Sequence, residues 1–493
     1  MNTLLVSTSS NRLIPRHKLL MLGALTAMAC SAAHAENVYW LGDINGNGVW
    51  DTTTANWALG SPGGVDTTFT NGDNTFFYYS GGNLNLTEDL TTNYQEIGQS
   101  GGTIGLNYVF TSDVVDGVNL GYTNRISIND GNQATIGSGV TAIFSGSDTN
   151  LHIEGDSSAQ SILNIDGGTV LKNSSSVLNL SNVTVNVING GVLGGDAQGG
   201  TQIFFRNSFS TLNVDSGGRV QVGNSSGGST QFRGLIVGVG AGGGGEVNID
   251  GGRVESYNTA VLLGDNQASG TSATINLNGG VLYAPQVRAQ NNNGGVTSTL
   301  NFNGGVLEVS STNAITANYL SGITNVVVQE GGAIIDTNGQ SITINQILTH
   351  DVNLGATADG GLTKQGVGTL TLNGVQAYTG NTTILGGTDA ANLSVLSINS
   401  AFLADSSEVY IEEFGFLNLN FAGTDTITGL YLDGIAMAQG TWGASGSGAD
   451  NINDTYFGGT GQLMVIPEVS SYAMILGGLS LALIVARRRK ARG

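Results

Sequence analysis

The segment Leu163-Asn164-Ile165-Asp166-Gly167-Gly168-Thr169-Val170 carries a short pattern that recurs along the chain. An asparagine lies between two apolar residues, and a glycine pair separates this group from the next apolar residue. The group returns as Val185-Asn186-Val187, Leu212-Asn213-Val214, Val247-Asn248-Ile249, Ile275-Asn276-Leu277 and Leu300-Asn301-Phe302, with a degenerate copy at Val326-Val327-Val328. The glycine pairs recur about every 27 residues, a drifting period that is typical of a solenoid. A propeller blade is longer, and a leucine-rich repeat keeps a fixed leucine frame, so neither fits.

The alternation within each copy predicts a β-strand with one buried face. Leu163 and Ile165 would point inward and Asn164 outward, because successive strand side chains alternate faces. The glycine pair lets the chain turn through positive φ without a steric cost, and Val170 begins the next face. Coils that stack in register would pair their backbones, which predicts an all-β parallel β-helix. About ten coils between residues 120 and 390 would extend over about 50 Å.

Register would also bring the repeated asparagines into one column with a spacing of about 4.8 Å. Stacked amides can hydrogen-bond along such a column. The alternative is that asparagine recurs only because it favours turns. The column would contain Asn164, Asn186, Asn213, Asn248, Asn276 and Asn301.

Composition excludes several other classes of protein. The chain has 493 residues, of which 78 are Gly and 4 are Pro, 11% are charged and 40% are hydrophobic. A disordered acidic tail would be less apolar, collagen would be rich in proline, and soluble helices need charged outer faces. Between the two end segments lie eight basic and 35 acidic side chains, a formal charge of −27. A body of this charge repels nucleic acid, so we expect no nucleic-acid partner.

Residues 1–35 have the pattern of a secretory signal peptide. Basic residues precede the apolar stretch Leu19 to Ala29, which is too short to span a membrane in the mature protein. Ala33 and Ala35 are the small residues of a cleavage site, so the mature chain would begin near Glu36. Cys30 lies before that cut, and Ala27-Met28-Ala29 is a poor lipoprotein motif. We therefore expect a mature chain without a thiol, a disulfide or a cysteine-bound metal.

Residues 465–493 form a second distinct segment. Pro467-Glu468 precedes the apolar run Met474 to Ala486, and Arg487, Arg488, Arg489 and Lys490 follow it. The run is shorter than a standard spanning helix, and the basic cluster would stay on the cytoplasmic side. It is interpreted either as a short transmembrane anchor or as a sorting tail that is later removed.

The order of these three parts resembles the PEP-CTERM sorting signal of Gram-negative bacteria, with Val469 in place of the second proline. The resemblance implies processing by an exosortase-type membrane enzyme, with a membrane helix present until then. It also implies export through the inner membrane to the envelope or outer surface, or to an extracellular matrix.

A second resemblance covers residues 361–396. Leu362-Thr363-Lys364-Gln365-Gly366-Val367-Gly368-Thr369-Leu370-Thr371-Leu372-Asn373-Gly374, followed by Tyr378-Thr379-Gly380 and Thr382-Thr383-Ile384, resembles the autotransporter-associated β-strand repeat. That resemblance implies a right-handed parallel β-helix. The alternating apolar residues Leu370, Leu372 and Ile384 agree with it independently.

The flanks of the repeats have a different composition, and we expect capping segments there because solenoids need atypical ends. Residues 36–119 would form an N-terminal cap and the first strands. Trp40, Trp50 and Trp57 lie in this flank and would plug the open core. Residues 120–396 would form the repeats, and residues 397–464 a C-terminal β cap.

Candidate catalytic residues are few. The basic residues of the body are Arg125, Lys172, Arg206, Arg219, Arg233, Arg253, Arg288 and Lys364. Arg219 and Arg253 share one repeat position, which predicts either part of a stripe on the outer surface or solvated turn charges. His152 and His350 are far apart in sequence, and each is expected at the surface. No His-Glu-x-x-His zinc-protease motif is present.

One segment resembles a calcium loop incompletely. Asp43-Ile44-Asn45-Gly46-Asn47-Gly48 has oxygen ligands at positions 1, 3 and 5, but Thr54 stands where a bidentate glutamate belongs. Asp51 could supply an oxygen, and a plain Asn-Gly turn is the favoured interpretation. We expect no cofactor and no specific metal site, with diffuse calcium binding by the acidic body left open.

These observations predict a structural or interaction protein, and not an enzyme. It would be secreted, acidic and associated with the envelope or matrix, with extracellular polysaccharide or envelope components as its contacts. The alternative is a polysaccharide lyase or a glycoside hydrolase with its site on one lateral face of the β-helix. A glycan-binding module without turnover is the third hypothesis.

Overall fold

The structure is a computed structural model of the chain. It describes residues 35–41, 49–78, 82–92, 94–97, 107–112, 114, 118–122, 126–129, 131–144, 151–155, 160–172, 177–194, 202–223, 234–240, 242–265, 272–290, 296–312 and 314–466. These residues belong to the unit Ala35–Gly493; the other unit is Met1–His34. Residues 1–34 of the predicted signal peptide, with Ala33, lie outside the described residues, and Ala35 is the first described residue. Residues 467–493 of the sorting tail also lie outside them, with Pro467, Glu468, Arg487, Arg488 and Arg489 and the predicted membrane helix, whereas Val465 ends the strand Gln462–Val465.

The described residues are strands joined by turns, with a single 3-10 helix, Val352–Leu354, and no α-helix. No helix among them is both long and apolar enough to cross a membrane. Most strands pair in parallel with the strand that comes three strands later in the chain. Each coil therefore contributes one strand to each of three long sheets. This is the arrangement of a parallel β-solenoid, and the predicted all-β class is confirmed.

Sheet I contains the asparagine strands of the repeat. In order along the sheet its strands are Val49–Trp50, Gly82–Leu86, Asn107–Thr111, Gln133–Gly137, Ser161–Asp166, Val183–Ile188, Phe209–Asp215, Gly244–Asp250, Ser272–Leu277, Thr297–Phe302, Asn325–Val328 and Thr349–His350.

Sheet II follows the glycine pairs and is the longest sheet among the described residues. Its strands are Leu90–Thr92, Val118–Tyr122, Val140–Phe144, Thr169–Lys172, Val192–Gly194, Arg219–Val222, Arg253–Ser256, Val281–Ala284, Val306–Val309, Ala333–Asp336, Leu362–Gln365, Thr382–Ile384, Glu408–Ile411, Gly429–Leu432 and Ile435–Ala436. At the strand spacing of about 4.8 Å, this sheet extends over roughly 65 Å.

Sheet III closes the coil. Its strands are Asp66–Thr67, Trp57–Leu59, Asn37–Trp40, Asn74–Phe77, Tyr94–Ile97, Ile126–Ile128, Leu151–Gly155, Val177–Ser181, Gln202–Arg206, Leu235–Val239, Val261–Leu263, Val287–Arg288 and Leu320–Ser321.

Two smaller sheets occupy the C-terminal part of the described chain. Sheet IV contains Ile342–Ile344, Gly368–Leu372, Ser394–Ile398, Gly415–Leu419 and Phe457–Gly459. Sheet V contains Thr424–Ile427, Gln462–Val465, Gly440–Gly443 and Asn451–Ile452. Parallel pairing in sheet II continues through Gly429–Leu432, and antiparallel pairing follows with Ile435–Ala436.

The core is a continuous apolar interior built by the alternation within strands. In Ser161–Asp166 and Val183–Ile188, buried and half-exposed side chains alternate strictly. Leu163 and Ile165 are fully buried, as predicted, and so are Leu370, Leu372 and Ile384 of the C-terminal repeat. Each inward residue lies over its counterpart in the next coil, so the repeats build one core.

The glycine pairs align along one edge, at the turn from sheet I to sheet II. In the pair Gly190-Gly191, Gly190 has φ +84°, as the sequence predicts for a turn through positive φ. Gly191 is glycine for a different reason. A Cβ there would lie 2.0 Å from the backbone oxygen of Ile165, in the coil below. The second glycine therefore allows adjacent coils to approach closely at the turn.

The predicted asparagine column is present. Each amide donates from Nδ2 to Oδ1 of the preceding asparagine over 2.7–2.9 Å, along Asn164, Asn186, Asn213, Asn248, Asn276 and Asn301. Asn164 donates in turn to Thr135, 3.2 Å away. The recurring asparagine therefore contributes a hydrogen-bonded ladder on the outer face of sheet I, and turn preference is not its main role.

Replacing Asn213 by alanine removes two bonds of this ladder, one to Asn186 and one from Asn248. At about 1 kcal/mol for each bond, we expect a loss of about 2 kcal/mol in the free energy of unfolding, measured from the urea midpoint. The control is Thr184→Ala on the same face, because the Thr184 hydroxyl has no hydrogen bond within the described residues. Its effect should stay below about 0.5 kcal/mol. Equal shifts for the two variants would show that the ladder adds nothing.

The first coils are closed by aromatic rings. Trp50 and Trp57 are fully buried and Trp40 almost so, and their rings contact each other and Phe77 at centroid distances of 5.2–6.3 Å. The antiparallel strands Trp57–Leu59 and Asp66–Thr67 end sheet III beside them. The three tryptophans therefore fill the core at this end, as the sequence predicts.

Candidate functional site

The outer face of sheet II carries a group of charged and aromatic side chains on neighbouring coils. Arg219 and Arg253 are directly paired neighbours on adjacent strands, so they share one position as predicted. Val281 follows them in the same column, so the arginines do not form a longer stripe. They lie in strands and bind carboxylates, so their interpretation as turn charges was wrong, although both side chains remain partly solvated.

Glu255 lies between the two arginines and is 5% exposed. Its carboxylate accepts hydrogen bonds from Nε of Arg219 at 2.6 Å and Nε of Arg253 at 2.7 Å. Gln221 and Tyr257 donate to the same carboxylate at 3.1 Å and 3.0 Å. Burial alone would raise the pKa of Glu255, but the bonds from Arg219, Arg253 and Tyr257 outweigh it and lower the pKa to about 2.

The group extends to the next coils. Arg253 donates from Nη1 to Glu308 at 2.9 Å, and its guanidinium carbon lies 5.5 Å from the ring centroid of Tyr283. The Tyr283 ring also contacts Tyr257 edge to face, with centroids 6.0 Å apart. These contacts connect three coils across the sheet. The charge pair and the cation–π contact therefore stabilise the stacking of the coils.

This group lacks the chemistry of a glycoside hydrolase. Such an enzyme needs a carboxyl group that is protonated near neutral pH, opposite a second carboxylate. Glu255 stays ionised, and its oxygens are occupied by the four donors. Among the described carboxyl groups with a resolved shift, Asp425 alone has a raised pKa, because of its burial. Its Oδ2 accepts the backbone N–H groups of Phe402 and Leu403, away from Glu255.

His350 is in a second polar group that the sequence does not reveal. Its Nδ1 lies 3.0 Å from Oδ2 of Asp359 and 3.1 Å from the hydroxyl of Thr379. Its Nε2 lies 3.2 Å from the backbone oxygen of Gly355. The side chain is 20% exposed, so the prediction of a surface histidine was incomplete. His152, far away in sequence, lies in the strand Leu151–Gly155 of sheet III.

Asp359 organises the loop around His350. It accepts backbone hydrogen bonds from Gly361, Thr379 and Gly380 at 2.8–2.9 Å. Burial would raise the pKa of Asp359, but these bonds and His350 lower it. Both ring nitrogens of His350 face hydrogen-bond acceptors of the chain. His350 and Asp359 therefore hold the loop in place together. No ring nitrogen faces outward to move a substrate proton.

Lys364 points into the core, which the sequence does not predict for a charged residue. It is fully buried and occupies the inward column of sheet II between Ile335 and Ile384. Its Nζ donates to the backbone oxygens of Gln365 and Gly366 at 2.9 and 2.7 Å and to Oγ of Ser394 at 3.1 Å. These three acceptors match the three donors of an ammonium group.

Burial lowers the pKa of Lys364 to about 7, against 10.5 for a free lysine side chain. Between these two pH values the unfolded chain holds the proton and the folded chain does not, so stability rises with pH. The contribution of Lys364 has a slope of up to about 1.4 kcal/mol per pH unit. We expect the difference in unfolding free energy between wild type and Lys364→Met to grow in favour of wild type from pH 7 to 10.5. A pH-independent difference would contradict this.

No metal site is apparent in the described part of the chain. The calcium-like segment Asp43 to Gly48 lies outside the described residues. Asp51 is described, and its two oxygens bind its own turn, including Thr53 N at 2.9 Å and Thr54 Oγ1 at 2.9 Å. No group of three or more His, Asp or Glu side chains in the described ranges could hold a metal ion.

No protein-family model, no curated protein sequence and no solved structure matches this chain. The resemblances to the autotransporter-associated repeat and to the PEP-CTERM signal therefore rest on the residues quoted for them.

Proposed function

We propose that this protein is a secreted structural and interaction scaffold that contacts polysaccharide in the envelope or extracellular matrix of a Gram-negative bacterium. Residues 1–35 would direct export, and residues 465–493 would anchor the chain until an exosortase-type enzyme removes them. The solenoid would be right-handed, as parallel crossover connections almost always are. No enzymatic activity is proposed.

One observation carries this proposal: the potentially reactive side chains hold coils or loops of the solenoid together. Glu255, His350 and Lys364 each have their polar atoms bound within the chain, across neighbouring coils or within a loop. A catalytic group needs at least one polar atom that faces a substrate. Saturated polar groups of this kind support a mechanical role.

The outer face of sheet I supports the interaction role. Beside the asparagine column runs a second outward column that contains Thr184, Thr211, Glu246, Thr274 and Thr299. Hydroxyl and amide groups repeat along this face at the strand spacing of about 4.8 Å. Uncharged hydroxyl and amide groups form most of these two columns, with Glu246 within one of them and Asp166, Asp215 and Asp250 beside the asparagines. Such groups suit the repeating hydroxyl groups of a polysaccharide, because both partners hydrogen-bond without ionic attraction.

The proposal is tested by sedimenting the purified mature protein with extracellular polysaccharide, with and without calcium, while released reducing ends and unsaturated products are measured. We expect the protein to sediment with the polymer without generating products. Cleavage that disappears in Glu308→Gln or Asp336→Asn would instead support the lyase or hydrolase alternative.

Mass spectrometry of both ends of the native protein tests the proposed export and processing. We expect Glu36 as the first residue and loss of the C-terminal tail.

A further inference from the structure

A polar cleft of about 480 Å³ opens where sheets I and III end. Its volume is within the range of small-ligand sites. It is lined by Leu320 and Ser321 of sheet III, by residues of the last full strand of sheet I, and by the segment that precedes Thr349.

The cleft results from a break in the stacking. Sheet III ends at Leu320–Ser321, and the next strand on this side, Ile342–Ile344, belongs to sheet IV. In sheet I, the strand Asn325–Val328 pairs with Thr349–His350 only through its last two residues. Asn325 and Val326 therefore have no ladder partner in the following coil. The Thr349 hydroxyl binds the backbone oxygen of Val326 at 3.0 Å and closes the floor.

The cleft presents hydrogen-bonding atoms that the chain does not use. Gln346 donates its amide to the backbone oxygen of Ile323 at 2.9 Å, and Asn325 donates to Thr299 at 3.3 Å. Within the described residues, Oε1 of Gln346, Oδ1 of Asn325 and the Ser321 hydroxyl make no hydrogen bond. These atoms lie beside aliphatic side chains, including Ile347, which is 47% exposed.

The lining of the cleft carries no charged side chain. None of the ten lining residues is ionisable, although the body carries a formal charge of −27. A cationic ligand would find no carboxylate in the cleft, and an anionic sugar would find no arginine or lysine. Carbonyl acceptors and a hydroxyl beside aliphatic surface match a ligand with hydroxyl donors and apolar C–H groups, as in a neutral pyranose.

We propose that this cleft binds a neutral sugar unit of the polysaccharide, an inference that rests on the proposed function and assigns it a site. The hydroxyls of the sugar would donate to Asn325 and Gln346, and its C–H face would lie on Ile347. Uronic acids would bind weakly, because nothing in the lining compensates their charge.

The experiment measures binding of the purified mature protein to neutral hexose and N-acetylhexosamine oligosaccharides by calorimetry, with uronic-acid oligosaccharides in parallel. We expect saturable binding of a neutral oligosaccharide and at least tenfold weaker binding of the uronates. Asn325→Leu removes one acceptor and Ile347→Ser removes the apolar contact, and each should raise Kd about tenfold. Val352→Ser is the control, because Val352 is 84% exposed and does not line the cleft.

The outcomes separate the two proposals. Unchanged Kd in both cleft variants, or preferred binding of uronates, overturns the cleft assignment. Sedimentation with polysaccharide without binding of any neutral oligosaccharide also overturns it, while the proposed function stands. Loss of both sedimentation and oligosaccharide binding contradicts the cleft and the polysaccharide contact together.

Discussion

Replacing Gly191 by alanine is expected to destabilise the solenoid by about 3 kcal/mol, which would appear as a large decrease in the urea midpoint. The added Cβ would lie 2.0 Å from the backbone oxygen of Ile165 and 2.9 Å from that of Ile188. Both neighbours are backbone, so no side chain can move aside. The coils must separate locally. This lengthens the hydrogen bond from Val192 N to the backbone oxygen of Gly168, which measures 3.0 Å in the wild-type protein.

The preceding glycine provides a matched control in the same turn. A Cβ on Gly190 meets nothing within 4 Å, but its φ of +84° is unfavourable for alanine. Gly190→Ala should therefore cost only about 1–2 kcal/mol. Gly190→Asn should cost less, because asparagine tolerates this conformation and Asn189 already has φ +50°. If Gly191→Ala is no more harmful than Gly190→Ala, close approach of coils does not explain the glycine pairs.

Replacing Glu255 by alanine is the second change with a large expected effect, a loss of about 3 kcal/mol in unfolding free energy. The Glu255 side chain is 6% exposed. Its removal leaves the adjacent Arg219 and Arg253 without the negative charge that neutralises both of them. Removing one partner of a buried ion pair typically costs about 3–5 kcal/mol. Arg219 and Arg253 remain 46% and 34% exposed, so water offsets part of the cost and places the effect at the lower end.

Combined variants test whether the effect comes from the unpaired arginines. Glu255→Gln keeps the shape and one acceptor oxygen, so we expect an intermediate loss. The triple change Glu255→Leu with Arg219→Met and Arg253→Met should recover most of the stability, because apolar replacement of a whole ion group is often close to neutral. If Glu255→Ala behaves like substitution of an exposed residue such as Glu330, the group does not hold the coils together.

The sequence predicts those features of the fold that repeat. Leu163 and Ile165 alternate with Asn164, and this two-residue period defines the inner and outer faces. A second asparagine ladder has a similar spacing but escaped prediction; it runs beside sheet IV through Asn318, Asn345, Asn373, Asn399 and Asn420. Its copies do not all share the apolar frame and glycine pair of the first repeat.

The features that do not repeat could not be predicted. His350 meets Asp359 across a loop of the same coil and Thr379 only because the chain returns one coil later, and no sequence motif records these contacts. Lys364 occupies an apolar column, against the usual rule that a lysine is exposed. The cleft beside Ser321 depends on where sheet III ends, which follows from the packing of several coils.

Cysteine cross-linking tests the stacking of coils in register most directly. In a Cys30→Ser background the chain has no other cysteine, so engineered pairs can be assigned without ambiguity. Thr184 and Thr211 are direct partners in sheet I, which places their Cα atoms about 4.8 Å apart, within disulfide range. Thr184 and Phe209 are offset by two residues, about 8 Å, which is beyond that range. We predict rapid oxidation of the Thr184→Cys/Thr211→Cys pair and slow oxidation of Thr184→Cys/Phe209→Cys; equal rates, or the reverse order, would contradict coils that stack in this register.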